Sequence, residues 1–145
     1  MNKVLGVLKS IFKHIILFLI GGIIYCGIEL LWRQYTHISM LVVGGICFVV
    51  IGCYNEFISW DMPIWEQMLF GCATITIIEF ISGLIINVWL GLNVWDYSSL
   101  PFNVLGQICL PFCVAWFFIS LLSIVIDDYL RYWLFGEEKP HYKLK

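Results

Sequence analysis

Four long apolar stretches separated by brief polar interruptions organise the chain: Ile11–Trp32, Ile38–Phe57, Ile64–Leu90 and Ile108–Ile126. Each is close to or above the ~20 residues that a helix needs to cross the hydrocarbon of a bilayer, where every backbone polar group must be satisfied within the segment. The pattern predicts an all-α fold, a polytopic membrane bundle of four transmembrane helices. Short connections at Tyr35–Ile38 and Ile58–Pro63 make successive helices antiparallel neighbours. The third connection, Leu92–Gln107, is the longest and too apolar for a solvated loop, which makes it a candidate re-entrant segment at the outer face. Irregular backbone at that depth has to be buried in protein or line a wet cavity.

Polar and small residues recur at helical spacing inside the apolar stretches. In the third, Cys72, Thr76, Glu79, Gly83 and Asn87 step by four, three, four and four, so they share one face. In the fourth, Cys113, Trp116, Ser120, Ser123 and Asp127 alternate steps of three and four, the seam spacing of a left-handed bundle. The second offers Gly45, Gly52 and Glu56, and the first Gly22, Cys26, Glu29 and Arg33, with Glu29 one turn before Arg33 in the favourable order for a pair. Packing through small residues and interhelical hydrogen bonds accounts for most of these stripes.

Packing accounts less well for Glu79. An acid at the centre of a spanning helix costs roughly 2.5–3.5 kcal/mol on insertion scales and usually faces a bundle interior, a partner or a wet cavity. With the first and third helices running outward, Glu79 is central in depth. Glu29, Arg33, His37 and Asp96 gather toward the outer face, and Asn55, Glu56, Asp61, Asp127 and Asp128 toward the inner one. That layout suits a proton or cation relay. The structural alternative is a protonated Glu79 hydrogen-bonded to Asn87, a threonine or a backbone carbonyl.

Composition agrees with the bilayer as solvent: 61% of residues are hydrophobic and 12% charged, and the mean hydropathy is +0.93. Little length is left beyond the four helices, so residues 1–145 are expected to form a single transmembrane domain without a soluble catalytic module. Lys3, Lys9 and Lys13 precede the first stretch as they would in a signal peptide, but no small-x-small cleavage site follows, and the segment reads as a span. Basic residues cluster near the two termini, which places both in the cytoplasm of a bacterial inner membrane. A net charge of −2 gives no sign of nucleic-acid binding.

Six cysteines lie in or beside the apolar stretches without a CxxC pair, and His14, His37 and His141 stand alone, so neither disulfides, a metal site nor a cofactor is expected. Trp89, Trp95 and Tyr97 at one end, and Tyr129, Tyr132, Trp133 and Tyr142 at the other, read as aromatic belts. A P-loop and a nucleophile elbow are both missing.

The segments Asn55-Glu56, Glu79-Phe80-Ile81-Ser82-Gly83, Trp95-Asp96-Tyr97-Ser98, Pro101-Phe102-Asn103 and Gly106-Gln107-Ile108-Cys109-Leu110 resemble, in this order, a bacterial family labelled putative ABC transporter type IV or ABC transporter permease. The resemblance runs from about Gly27 to Tyr142, and the tail Glu137–Tyr142 is similar to a short-form subgroup. It implies a polytopic inner-membrane protein, transport and, by the label alone, a separate ATPase. The connection between Ser59 and Glu66 is short for coupling to such a partner.

Three readings follow. The first is a transporter or transporter subunit, working as a homodimer or with a partner membrane subunit. In it Glu79 is the central ionisable group, Thr76 and Asn87 extend its face, Glu29, Arg33 and Asp96 shape an outer vestibule, and Glu56 marks the inner end. The second is an intramembrane enzyme acting on a lipid or isoprenoid, with Glu79 and Asp96 converging. The third is an assembly subunit whose stripes serve helix pairing alone.

Overall fold

The structure is a computed structural model that describes residues 2–145, except for the side chains of Asn2 and Asn55. Asn55, read above as part of the inner polar group, therefore lies outside the described side chains. The described residues form four α-helices and no strand: α1 Asn2–Arg33, α2 Ile38–Cys53, α3 Ile64–Gly83 and α4 Leu110–Phe135. Three are long and apolar enough to cross a membrane, as the sequence pattern predicts, when α3 is counted with its continuation to Trp89. The fourth, α2, is apolar but has 16 residues, roughly 24 Å at 1.5 Å per residue. A 3₁₀ turn at Tyr54–Glu56 carries it further. The arrangement is that of a helical membrane bundle.

Local chemistry explains the helix ends. Arg33 closes α1 favourably for the helix dipole, and Gln34 turns the chain with a left-handed φ of 55°. His37 caps α2, its Nδ1 accepting from the Ser39 amide at 3.2 Å. Pro63 precedes α3, and Glu66 in the first turn suits the positive helix end. Pro111 occupies the first turn of α4, where a missing N–H costs nothing, and Gly136 terminates it in the left-handed region at φ 69°. α4 thus starts two residues after the predicted stretch and runs on past Asp127 and Asp128, while α1 reaches back through its three lysines.

α1 packs mainly on α2, and α3 mainly on α4. Close contact in the first hairpin depends on glycines: a Cβ on Gly22 would lie 2.4 Å from the Leu41 carbonyl oxygen. The hairpins meet over a core that includes Val43, Cys47 and Ile51 of α2, Met68 and Ile75 of α3, and Trp116 and Ile124 of α4. Apolar side chains such as Leu31, Ile77 and Phe118 remain exposed on the outside of the bundle, as a lipid-facing surface requires.

At one end the α1–α2 and α3–α4 connections meet, with Arg33 donating to the Val94 carbonyl at 3.1 Å. At the other, Lys13 of α1 reaches Glu56 at 3.5 Å and Glu137 of the tail at 2.8 Å. That tail folds back over the α2–α3 connection. The Ile64 amide donates to the Lys143 carbonyl at 2.8 Å, Trp60 stacks on His141, and Lys143 pairs with Asp61.

Candidate functional site

α3 does not end cleanly. After Gly83 it widens into a π-helical turn, Leu84–Trp89, a rare form that occurs preferentially at functional positions. Its buried Asn87 holds the long connection: Asn87 Oδ1 accepts from the Val94 amide at 2.7 Å, and Nδ2 donates to Gln107 Oε1 at 2.8 Å. Trp95 Nε1 donates to the Gln107 carbonyl at 3.0 Å, and the Tyr97 amide to the Gly106 carbonyl at 2.8 Å. Val94 and Trp95 are buried against Met40, whereas Leu92, Phe102 and Leu105 are exposed. Phe102 and Leu105 adopt left-handed φ values of 52° and 53°, a strain of order 1 kcal/mol or more that the surrounding bonds hold.

The polar face of α3 is turned onto α4. Cys72 Sγ donates to the Cys113 carbonyl at 3.1 Å, and Thr76 Oγ1 lies 3.6 Å from Cys113 Sγ. One turn on, Glu79 is 3% exposed. Each of its oxygens accepts one bond, Oε2 from Trp116 Nε1 at 2.7 Å and Oε1 from the Tyr97 hydroxyl at 2.9 Å. Asn87, threonines and backbone carbonyls, named above as partners, are not the groups that bind it. Burial, and then the charge of Glu79, push the Tyr97 phenol far above its ordinary pKa, so it stays protonated and donates. Among the described residues no cation lies within salt-bridge distance of Glu79.

A cavity of about 210 Å³ adjoins this acid in the cleft between α1 and α4. Its rings are Tyr25 and Trp32 of α1, Tyr97 of the connection, and Phe112 and Trp116 of α4. Tyr97 stacks on Phe112 at 4.5 Å, and Trp116 lies 5.9 Å from Phe112 and 6.1 Å from Tyr25. The charged lining is one pair, Arg33 to Glu29 at 2.6 Å, with Thr36 bound to the other oxygen of Glu29 at 2.7 Å. Glu79 itself stands behind the Trp116 and Tyr97 rings.

The residues singled out in the sequence therefore separate. Glu29 and Arg33 line the cavity, Glu79 backs it, Thr76 continues the face of Glu79 toward Cys113, and Asn87 anchors the connection. Asp96 is not brought to Glu79: its carboxylate is turned to solvent, where the Ser98 hydroxyl and amide bind it and hold its pKa below the usual range. Glu56 sits at the opposite end, 3.3 Å from Arg131.

At that end Asp127 and Asp128, grouped above toward the inner face, are drawn into the bundle. They are 0% and 3% exposed. Asp127 Oδ2 accepts from Arg131 Nε at 2.6 Å, and Asp128 accepts from the Tyr142 hydroxyl at 2.7 Å. Packing is tight enough that a Cβ on Gly52 would sit 2.3 Å from Asp127 Oδ2.

Sequence reasoning missed the aromatic residues of the cavity. Trp116 stood in the α4 stripe as a packing residue and Tyr97 in an aromatic belt; the signal available was that Trp116 alone in its stripe is large and carries an N–H that needs a buried acceptor.

A family model described as "Putative ABC-transporter type IV" matches residues 16–135. The chain belongs to this family. The match includes all the cavity residues and Glu79 and stops before the tail that covers the α2–α3 connection. The chain has no significant match among curated proteins or solved structures. Family and helices together establish a membrane protein related to ABC transporters.

Proposed function

We propose that this family member is a transporter subunit of the bacterial inner membrane, both termini cytoplasmic, whose substrate passes through or rests in the cavity between α1 and α4. The observation that carries the reading is the aromatic cavity backed by Glu79, an acid bound by two neutral donors and lying in a spanning helix. Such an acid is retained against a cost of roughly 2.5–3.5 kcal/mol. The cavity opens between two hairpins that pack more on themselves than on each other, which is where relative motion would change access.

Both termini lie with the α2–α3 connection at one end, and the basic residues there favour the cytoplasm. The tail and that connection form a joined surface through Trp60, His141, Lys143 and Asp61. A separate ATPase, implied by the family label, would find its docking site there, and the joined surface offsets the shortness of the connection. Since four helices enclose little volume, a second copy or partner membrane subunit would complete the pathway. The two-carboxylate enzyme reading loses support, because Asp96 and Glu79 bind different partners in different surroundings.

Cells expressing the chain are expected to take up or expel a labelled small amphiphile faster than cells carrying Glu79→Gln at equal membrane abundance. Equal rates across a panel of anionic, neutral and cationic amphiphiles would overturn the proposal.

A further inference from the structure

Resting on the cavity of the proposed transporter, we infer that its ligand is a small monovalent organic cation with an apolar surface, such as an aryl-substituted quaternary ammonium.

Three features converge on that class. The first is the wall. Five aromatic rings from three segments of the chain line a single cavity of about 210 Å³. Faces of aromatic rings carry negative quadrupole potential, and cages of them select cations that lack N–H donors, because such cations are weakly hydrated and lose little on leaving water. A polar ammonium would instead need several hydrogen-bond acceptors, and beyond Glu29 this lining offers only the hydroxyls of Tyr25 and Tyr97.

Charge supplies the second feature. Glu29 and Arg33 cancel each other at 2.6 Å, and Arg33 is further engaged with the Val94 carbonyl. What remains beside the cavity is the carboxylate of Glu79, whose partners Trp116 and Tyr97 are neutral. Neutral donors stabilise a carboxylate without removing its field, so the ionised form of Glu79 presents the cavity with a negative charge that no cation among the described residues answers, and a bound cation would favour that form. In the low dielectric of a protein interior such a charge acts over several ångströms. An anionic ligand would meet repulsion; Arg33 offers a buried unpartnered Nε, but its charge is already answered.

The third feature links the first two. Trp116 and Tyr97 are both cavity rings and hydrogen-bond donors to Glu79. Donation to a carboxylate shifts electron density into the donor's ring and deepens the potential on its face. The acid thus strengthens the cation-binding rings without touching the ligand. Glu79 is in this sense a positioning and polarising residue, with the rings as the contact surface.

Size limits the ligand. About 210 Å³ lies below the ~300–1,000 Å³ usual for drug-sized sites, so one ring with a trimethylammonium head is the appropriate scale.

The test uses the full chain in lipid nanodiscs, titrated with benzyltrimethylammonium and with neopentylbenzene, which replaces the charged nitrogen by carbon at nearly the same shape. Quenching of tryptophan fluorescence reads binding, since Trp32 and Trp116 line the cavity. The charged probe is expected to saturate the signal at a Kd at least tenfold below that of its neutral twin, and Glu79→Gln to raise that Kd about tenfold while leaving the neutral probe unaffected. Trp32→Ala, at a residue 77% exposed whose loss does not threaten folding, is expected to weaken the charged probe more than its neutral twin. Equal affinity for the two probes in the unmodified protein would overturn the inference, as would unchanged affinity in a folded Glu79→Gln. Flux of amphiphiles without preference for charge would leave the transporter proposal standing and remove this one. Charge-selective binding without flux would do the reverse.

Discussion

Replacing Glu79 by alanine and by glutamine separates the hydrogen-bonding role of this residue from its charge. Alanine leaves the Trp116 N–H and the Tyr97 hydroxyl facing a void. Trp116 is 5% exposed, so water does not readily replace the lost acceptor. An orphaned buried donor costs about 1–3 kcal/mol, and hydrogen bonds measured within membrane helices average nearer ~0.6 kcal/mol, because the unfolded chain also finds partners in the bilayer. The charged acceptor and the emptied volume push toward the upper values, so we expect a loss of roughly 2–4 kcal/mol for Glu79→Ala.

Glutamine behaves differently because Tyr97 can reverse its bond. The amide oxygen keeps the Trp116 N–H, and the amide nitrogen donates to the Tyr97 oxygen, so both contacts survive as neutral bonds and the loss is about 1 kcal/mol or less. Equilibrium unfolding in mixed micelles, followed by tryptophan emission, measures both variants. Tyr97→Phe closes the cycle: it should weaken the unmodified protein and cost little in the Glu79→Ala background, with a coupling of about 1 kcal/mol. Stabilities of Glu79→Ala and Glu79→Gln within ~0.5 kcal/mol of each other would refute the assignment of Glu79 as the acceptor that holds these two groups.

Three further outcomes are expected. Gly52→Ala drives a methyl into the Asp127 carboxylate, parts it from Arg131 and leaves the guanidinium to the more exposed Glu56 and Glu137, which should cost roughly 1–3 kcal/mol; a thermal midpoint like that of the unmodified protein would show that the pair relaxes freely. Gly83→Leu displaces Gln107, whose Oε1 is 2.5 Å from the position of the added Cβ, so limited proteolysis within residues 98–105 should accelerate while the helices persist by circular dichroism; unchanged cleavage would mean that Gln107 does not anchor the connection. With the six native cysteines replaced, Ser99→Cys should react with an impermeant maleimide in intact cells and Glu138→Cys only after permeabilisation, and labelling of Glu138→Cys in intact cells would reverse the proposed orientation.

The helices were legible in the sequence because each apolar stretch must satisfy its backbone internally, which leaves few alternatives. Their ends were less so. The apolar run of the fourth stretch breaks at Asp127, yet α4 continues to Phe135, because Arg131 and Tyr142 meet the two acids inside the bundle. Spacing alone revealed the polar face of α3 and the pairing of Glu29 with Arg33, since both lie within one helix. The partners of Glu79 were not legible, because they depend on the rotation of α4 about its axis and on the path of a connection set by Asn87 and Gln107 across a π-helical turn. Asp96, adjacent in sequence to Tyr97, points the opposite way for a local reason: Ser98 captures its carboxylate at the surface.

The acids of the bundle divide by how their charge is met. Glu29 and Asp127 each face a guanidinium one turn along the same helix, and Glu56 lies near Lys13 and Arg131. These pairs are self-contained: removing a partner destabilises, but the field outside each pair is small. Glu79 has hydrogen bonds and no counter-charge. If structure alone had been at stake, a glutamine would serve Trp116 and Tyr97 at lower cost in hydrocarbon, because the hydroxyl can turn to suit it. What an acid adds over the amide is the field of its ionised form, and that field falls on the rings that line the cavity between α1 and α4. The comparison of Glu79→Gln with Glu79→Ala therefore isolates a loss of binding from a loss of stability, and glutamine should sacrifice the first while keeping most of the second.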